Sequence, residues 1–580
     1  MPSAGELSLG QAASEPAEGS LWVDALIFAG LAALIAGVVA LARRWAAPLR
    51  PTVEIDLSPW ALPKYTLLSL ARGFAAYILS LVFTLVYGTV AAYNRRAERI
   101  MIPVLDIMQG IPVLGFLPGL VLGMVGLFPH SNLGLELACV VMIFTGQAWN
   151  MTFSFYGSLR GIPTELREVA RVYRFGWWKR FRTVEVPSAM IGLVWNSMMS
   201  MAGGWFFLTV TEAFVLGDRD FRLPGIGAYM SVAIEKGDIG AMTGAVVAMV
   251  VMIVAVDQLV WRPALAWAQK FRVEESSGRP ARSWVLDVLR RSRILPWLED
   301  RTASLFALLE QRRKGWANNH RPAGGSEGSS IARSVVGWLA AASLCALVVW
   351  GTLHLLILLA AVQPHEWLTL VAALAMTFLR TSAAILLGAL WTVPFGIWVG
   401  LSPERTRVIQ PLVQIAASFP APMVFPLATL AILALDVRFS WGCVLLMALG
   451  SQWYILFNVL AGASAIPQDL REVATAYGLD RWKRWLKLYL PAVFPYLVTG
   501  LITAAGGAWN ASIVAEFVSY RGRTLIAPGL GSLITEATAA ANFPMLAAGI
   551  LLMSIALVTL NRSVWHRLYR LADERFSLNR

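Results

Sequence analysis

Charge is scarce in this chain: 14% of its 580 residues are Asp, Glu, Lys or Arg, against about 25% in an average soluble domain. Cysteine is scarcer still, with three, and histidine numbers five. Cys139, Cys345 and Cys443 all fall in apolar stretches, where a free thiol behaves as a small hydrophobe, so neither a disulfide framework nor a redox pair is implied. The histidines, at 130, 320, 354, 365 and 566, show no metal-ligand spacing. A nucleotide-binding P-loop requires a Gly-Lys pair, and the chain has none. Hydrolysis of ATP by this polypeptide through that route is therefore excluded. No nucleophile, base and orienting group cluster in sequence, which argues against a membrane enzyme. The first twenty residues hold Glu6, Glu15 and Glu18 but no Lys or Arg; they lack the positive segment of a cleavable signal peptide, so the first span is expected to stay attached.

Apolar sequence is what the chain has in excess. Hydrophobic residues make up 57% of it, in runs that recur from Leu21 almost to Leu560. One helix needs about 20 apolar residues to cross a bilayer, and twelve such spans fit. The formal net charge of +13 is read as the basic flanks of those spans on the cytoplasmic side, not as a nucleic-acid surface.

The chain repeats itself, and repeats decide a fold. At an offset of 304, residues from Pro163 to about 231 match those from Pro467 to about 535 without a gap. Arg167 falls on Arg471, Glu168 on Glu472, Tyr173 on Tyr477 and Trp178-Lys179-Arg180 on Trp482-Lys483-Arg484. Upstream, an offset of 308 sets Arg72 on Arg380, Pro112 on Pro420 and Pro118 on Pro426. Each half reads as six helices: about 21–42, 66–92, 108–127, 134–157, 188–214 and 240–262, then 335–361, 372–400, 412–435, 440–461, 492–516 and 543–562. The expected fold is an all-α polytopic membrane protein of about twelve transmembrane helices in two parallel six-helix repeats. Its divisions are a tail at 1–20, a first half at 21–262, a basic linker at 263–332, a second half at 333–566 and a C-terminal tail at 567–580.

Positive charge orients the halves. The linker carries Lys270, Arg272, Arg279, Arg290, Arg291 and more, which marks it as cytoplasmic. The loops at 158–187 and 462–491, with those holding Arg95 and Arg405, fall on the same side. Arg43, Arg44 and Arg50 fall on the other side and are expected to snorkel. The linker reads as a tether or as an amphipathic helix lying along the bilayer.

The two polar loops after the fourth helices are the strongest functional signal, because a connection alone has no need of thirty residues. Thr164 and Asp469 are expected N-caps; Glu165, Glu168 and Glu472 suit the positive start of a short helix. Glu472, Val473, Ala474, the later Gly478, and Leu490 with Pro491 resemble the EAA loop of ABC importer permeases. In the first half Glu168, Val169 and Ala170 fit, but Arg174 stands where that loop has Gly, Gly176 comes two residues later, and Val186 precedes Pro187. Arg380, Pro394, Phe395, Gly396, Phe419, Pro420, Pro422, Pro426, Glu516 and Gly529-Leu530-Gly531 are similar to the nitrate, sulfonate and bicarbonate branch of that family.

The resemblance implies a fused, type I ABC importer permease in a bacterial inner membrane, moving a small anion by alternating access and holding no cofactor itself. It implies two partner P-loop ATPase domains that bind ATP and Mg. It also implies a periplasmic or lipid-anchored substrate-binding protein outside. The ATPase-coupling residues so implied are Glu165, Glu168, Ala170, Gly176, Asp469, Glu472, Ala474 and Gly478.

An ionisable residue at mid-helix costs about 2.5 to 3.5 kcal/mol on insertion scales, so duplicated ones carry meaning. Arg72 and Arg380, with Glu212 and Glu516, are candidates for the translocation pathway; the alternative is that they pair with one another or cap helices. Asp106, Asp257 and Glu136 have no acidic counterpart in the other half and suggest local bonding. Gly203, Gly204, Gly506 and Gly507 suggest close packing of the two fifth helices. The third-helix prolines are expected to break those helices. The alternative class is an ion-gradient-driven secondary transporter with parallel repeats, which would need embedded carboxylates arranged as a relay.

Overall fold

The computed structural model describes residues 53–216, 219–271, 283–290, 327–520 and 523–576. The expected first helix at 21–42, the arginines at 43, 44 and 50, and most of the linker lie outside them. The described residues fall into two compact units. One contains 258–270, 283–290 and 327–350 and is helical, including Arg262–Ala268 and Trp284–Arg290. The other contains 53–257, 271 and 351–576.

In the first half the helices are α1 (Leu62–Tyr93), α2 (Arg95–Gly110), α3 (Leu117–Leu127), α4 (Leu133–Arg160), α5 (Thr164–Val172), α6 (Val186–Thr211), α7 (Ile226–Lys236) and α8 (Ile239–Val256). After α9 (Glu327–Ala360) the same series returns as α10 (Pro364–Gly400), α11 (Pro403–Ser418), α12 (Ala421–Ala434), α13 (Phe439–Ser464), α14 (Gln468–Ala476), α15 (Leu490–Ala515), α16 (Leu530–Ala539) and α17 (Phe543–Leu560). Among the described residues seven helices are long and apolar enough to cross a membrane, and nine spans result if each bent pair counts as one. The other three of the expected twelve are accounted for. One, 21–42, is outside the described residues; α6 is 26 residues long but diluted by Asn196, Ser197 and Ser200; α9, 34 residues long, runs through nearly all of the expected 335–361.

Each third helix is broken at the residue before a proline. Ile111 (ψ 133) precedes Pro112 and Phe419 (ψ 128) precedes Pro420. Proline's Cδ pushes the residue before it out of the helical region, and the two legs then meet at 88° in the first half and 87° in the second. The first legs start earlier than sequence periodicity indicates, so Arg95, Arg96 and Arg99 lie on α2 instead of in a loop. Asn94 caps that helix, its side-chain oxygen accepting from the N–H groups of Arg96 and Ala97.

Two further features recur in both halves and were not anticipated. A two-stranded antiparallel hairpin follows each fifth helix: β1 (Ala213–Leu216) with β2 (Arg219–Arg222), and β3 (Phe517–Tyr520) with β4 (Arg523–Ile526). A π-helical turn precedes each fifth helix, at Phe181–Glu185 and Trp485–Tyr489, and another follows each sixth, at Asp257–Trp261 and Asn561–Trp565. Such turns mark functional positions more often than ordinary helix does.

Packing within each half centres on the fourth helix. Met151, Phe155 and Leu159 of α4 form a buried cluster with Ala189 and Leu193 of α6; Ile455, Val459 and Ala463 of α13 do the same with Val493 and Ala504 of α15. Gly204 and Gly507 of the fifth helices serve this contact, and not the fifth-to-fifth packing expected from sequence. A Cβ on Gly204 would meet Gln147 of α4 at 2.4 Å, and one on Gly507 would meet Tyr454 of α13 at 3.0 Å. Gly506 faces open space.

Candidate functional site

The two loop helices α5 and α14 are built alike. Pro163 and Pro467 hold the N-cap positions with nearly equal dihedrals (φ −54, ψ 144 and φ −55, ψ 144) and no side-chain cap bond. Thr164 and Asp469 are therefore not the caps expected; they sit inside the first turn, where Glu165 and Asp469 complement the helix dipole. Ala170 and Ala474 are buried beneath. Arg167 ties α5 down by donating to the carbonyls of Leu159 and Arg160 (2.9 and 3.0 Å), as Arg471 does for α14 through Leu401 and Ile466 (2.8 and 2.9 Å). What remains outward is one face in each half: Glu168, Val169 and Tyr173, and Glu472, Val473 and Tyr477, all exposed.

Each helix ends in a left-handed residue, Gly478 with φ 60 and Arg174 with φ 51. The N–H groups that close the turn match: Phe175 to Ala170 at 2.9 Å and Leu479 to Ala474 at 3.1 Å. The turn thus survives without glycine, and Gly176 does not substitute for it. Gly176 is extended (φ −60, ψ 159) and N-caps the short helix Trp177–Arg180, the place held in the second half by Asp480, whose Oδ1 accepts from the Lys483 N–H at 2.7 Å.

The duplicated arginines and glutamates meet in two buried clusters. Ser69 and Arg72 come from α1, Glu212 from the end of α6, and Pro224-Gly225-Ile226-Gly227 from the segment after the hairpin. Arg72 Nη1 donates to Glu212 Oε1 (2.8 Å) and to the Pro224 carbonyl (3.0 Å). Ser69 Oγ donates to Glu212 Oε1 (2.6 Å) and accepts from the Ile226 N–H (2.9 Å), while the Gly227 N–H donates to Glu212 Oε2 (2.8 Å). In the second half Arg380 Nη1 bonds Glu516 Oε1 (3.0 Å) and the Pro528 carbonyl (2.8 Å). Thr377 takes the role of Ser69 there, and the Gly531 N–H that of Gly227. The glycines admit this approach: a Cβ on Gly225 would lie 2.3 Å from the Glu212 carboxylate, and one on Gly529 2.4 Å from that of Glu516. One difference separates the clusters. Glu136 of α4 grips the remaining edge of Arg72 through two bonds, to Nε at 2.6 Å and Nη2 at 2.8 Å.

A cavity of about 660 Å³ lies between the halves, lined from α2, α4 and α6 on one side and α13, α15 and α17 on the other. None of Arg72, Arg380, Glu212 or Glu516 lines it. Its polar groups include Ser200, Trp149, Asn510 and Tyr454, with Arg562 and His566 past the end of α17. Ser200 Oγ and Trp149 Nε1 are buried with no hydrogen-bond partner among the described residues. The indole N–H only donates, so a ligand reaching it must present an acceptor. Sequence reasoning missed these groups, since a single Ser or Trp in an apolar helix carries no pattern.

Beside the cavity the halves are joined by two amide–carboxylate contacts of opposite sense. Gln414 of α11 donates to Asp257 Oδ1 at 2.9 Å, and Asn561 donates to Asp106 of α2 at 3.5 Å. By the repeat offsets Gln414 corresponds to Asp106 and Asp257 to Asn561, so the acid and the amide have exchanged places.

The model of the family described as "Binding-protein-dependent transport system inner membrane component" matches this chain twice, over 84–260 and 358–576. The chain is 31% identical over 147 residues to the nitrate import permease protein NrtB of Leptolyngbya laminosa, covering 25% of this chain and 51% of that one. It is 32% identical over 140 residues to the bicarbonate transport system permease protein CmpB of Synechococcus elongatus, covering 24% and 49%. To the taurine transport system permease protein TauC of Escherichia coli it is 27% identical over 206 residues, covering 34% and 71%. The chain thus spans about half the length of the first two relatives.

Proposed function

We propose, on the premise that this chain belongs to the family of binding-protein-dependent transport system inner membrane components, that it is the complete membrane pathway of an ABC importer for a small anion. In this reading one chain supplies both halves of the pathway, and the cavity between them is where cargo crosses. Residues 21–262 and 333–566 are the two permease halves, joined by the cytoplasmic linker 263–332 and flanked by the tails 1–20 and 567–580. Separate ATPase subunits bind ATP and Mg and dock on α5 and α14, with Glu165, Glu168, Asp469 and Glu472 outward and Ala170 and Ala474 seating each helix on the membrane domain. A substrate-binding protein delivers cargo from outside the bacterial inner membrane.

The observation that carries this reading is the pair of loop helices, alike in exposed face, in anchoring arginine and in closing turn. Two such levers, each tied by its arginine to main-chain carbonyls of the membrane domain, allow a dimeric motor to act on both halves together, as alternating access requires. The anion assignment is supported by relatives named for nitrate, bicarbonate and taurine transport, and by the donor-only Trp149 Nε1 in the cavity wall. The buried Arg–Glu clusters act here as latches that hold the post-hairpin segments to the first and fifth helices, outside the cavity itself.

The test is reconstitution with the ATPase and binding protein in liposomes. Charge reversal at Glu168 together with Glu472 should leave ATP hydrolysis running while uptake falls at least tenfold. Uptake still coupled to hydrolysis in that variant would sink the reading, and so would failure of the intact chain to bind an ATPase.

A further inference from the structure

The two buried arginines differ in one respect that points to a ligand. Arg72 is fully enclosed, and both of its hydrogen-bonding edges are used: Nη1 by Glu212 and Pro224, and the Nε/Nη2 edge by the bidentate carboxylate of Glu136. Arg380 repeats the first set of contacts, and all of its bonds run through Nη1. Its Nε/Nη2 edge has no partner among the described residues, although the side chain is only 7% exposed. The residue corresponding to Glu136 is Ser440, in the exposed first turn of α13. Ala384 and Cys443, each about one turn along from Arg380 and Ser440, belong to one buried cluster, while Ser440 itself is exposed where Glu136 is buried.

We propose that the Nε/Nη2 edge of Arg380 is a binding site for a small planar oxyanion of carboxylate geometry, such as a free carboxylate, bicarbonate or nitrate, which takes the place that Glu136 occupies in the other half. A guanidinium fork matches two oxygens of such an anion, and Glu136 supplies the template, with oxygens 2.6 and 2.8 Å from the two nitrogens. Charge agrees as well. The first cluster holds two carboxylates to one guanidinium and the second holds one, so one bound monovalent anion gives both the same balance. The remaining exposure of Arg380, where Arg72 has none, leaves a way in. The site stands on this geometry whether or not the chain moves anions.

The experiment is thermal unfolding of the purified full chain at fixed ionic strength, with chloride exchanged stepwise for nitrate or for acetate. A saturable rise of a few degrees in Tm is expected for the wild type. It should be absent in Ser440→Glu, which brings an internal carboxylate to the same edge and suits the first turn of a helix, and in Arg380→Lys, which keeps the charge but loses the fork. As a control on the template, Glu136→Ala should lose stability and regain part of it in acetate. No rise in the wild type overturns the proposal. An equal rise in Ser440→Glu overturns it too, as an adventitious ion only. Should Arg380→Lys fail to fold, the exposed Ser440 position still decides.

Discussion

Arg174 and Gly478 occupy the same place at the ends of the two loop helices, and both are left-handed, at φ 51 and φ 60. An L-residue with a Cβ pays about 1 kcal/mol or more for that conformation where glycine does not. Arg174→Gly is therefore expected to stabilise the first loop by roughly 1 kcal/mol, and Gly478→Arg to destabilise the second by a similar amount. Hydrogen exchange of the Phe175 and Leu479 amides, which close the two turns, would report both. Slower exchange at Phe175 in Arg174→Gly is the expected sign.

The two clusters should respond unequally to loss of their shared carboxylate. Removing one partner of a buried ion pair costs about 3 to 5 kcal/mol when the other charge is left alone. Glu516→Gln leaves Arg380 with no carboxylate, whereas Glu212→Gln leaves Arg72 held by Glu136. Glu516→Gln is expected to lower Tm the more. Equal losses, measured by scanning calorimetry of the two variants, would contradict the role given to Glu136.

Asn561→Asp would set a carboxylate against Asp106, and Asp106→Asn added to it would restore an acid–amide contact in the sense already used by Gln414 and Asp257. The single variant should be less stable than the wild type and the double variant should recover most of the loss. A double-mutant cycle with no coupling would show that the contact contributes nothing to the joint.

Asp480 predicts a pH effect confined to one loop. The Lys483 backbone N–H, donating to its carboxylate, holds Asp480 below its ordinary pKa. A carboxylate depressed in the folded state stabilises above its unfolded pKa of about 3.9, and the effect fades as pH falls through the folded value. Protection of the Lys483 amide, relative to its intrinsic exchange, should therefore fall only as pH drops below the ordinary carboxylate range, and Asp480→Asn should remove that dependence. The matching amide of Lys179, behind Gly176, should show no such step.

The internal repeat carried most of the architecture, because a duplicated sequence folds twice and each half checks the other. Pro112 and Pro420 announced the two bends, since the constraint on the preceding residue is local. The hairpins escaped because Phe-Val-Leu and Phe-Val-Ser-Tyr continue the apolar run of the helix before them, and four-residue strands are too short for alternation to register. The left-handed turn at Arg174 was illegible for a different reason: an arginine carries no sign of it, because the carbonyls of Ala170 and Arg171 impose the turn on whichever residue follows. The cavity residues were illegible, since a lone Ser200 acquires meaning only through what fails to reach it.

The exchanged acid and amide at the joint bear on how such a chain can assemble. Two copies of the first half paired with each other would face Asp106 with Asp257, acid against acid, at both contacts; two copies of the second would face Gln414 with Asn561. Only unlike halves give each contact one anion and one donor amide, so self-pairing is penalised in one of them and merely neutral in the other. Tethering the two in a single polypeptide then fixes their ratio at synthesis and leaves the mispaired dimer little chance to form.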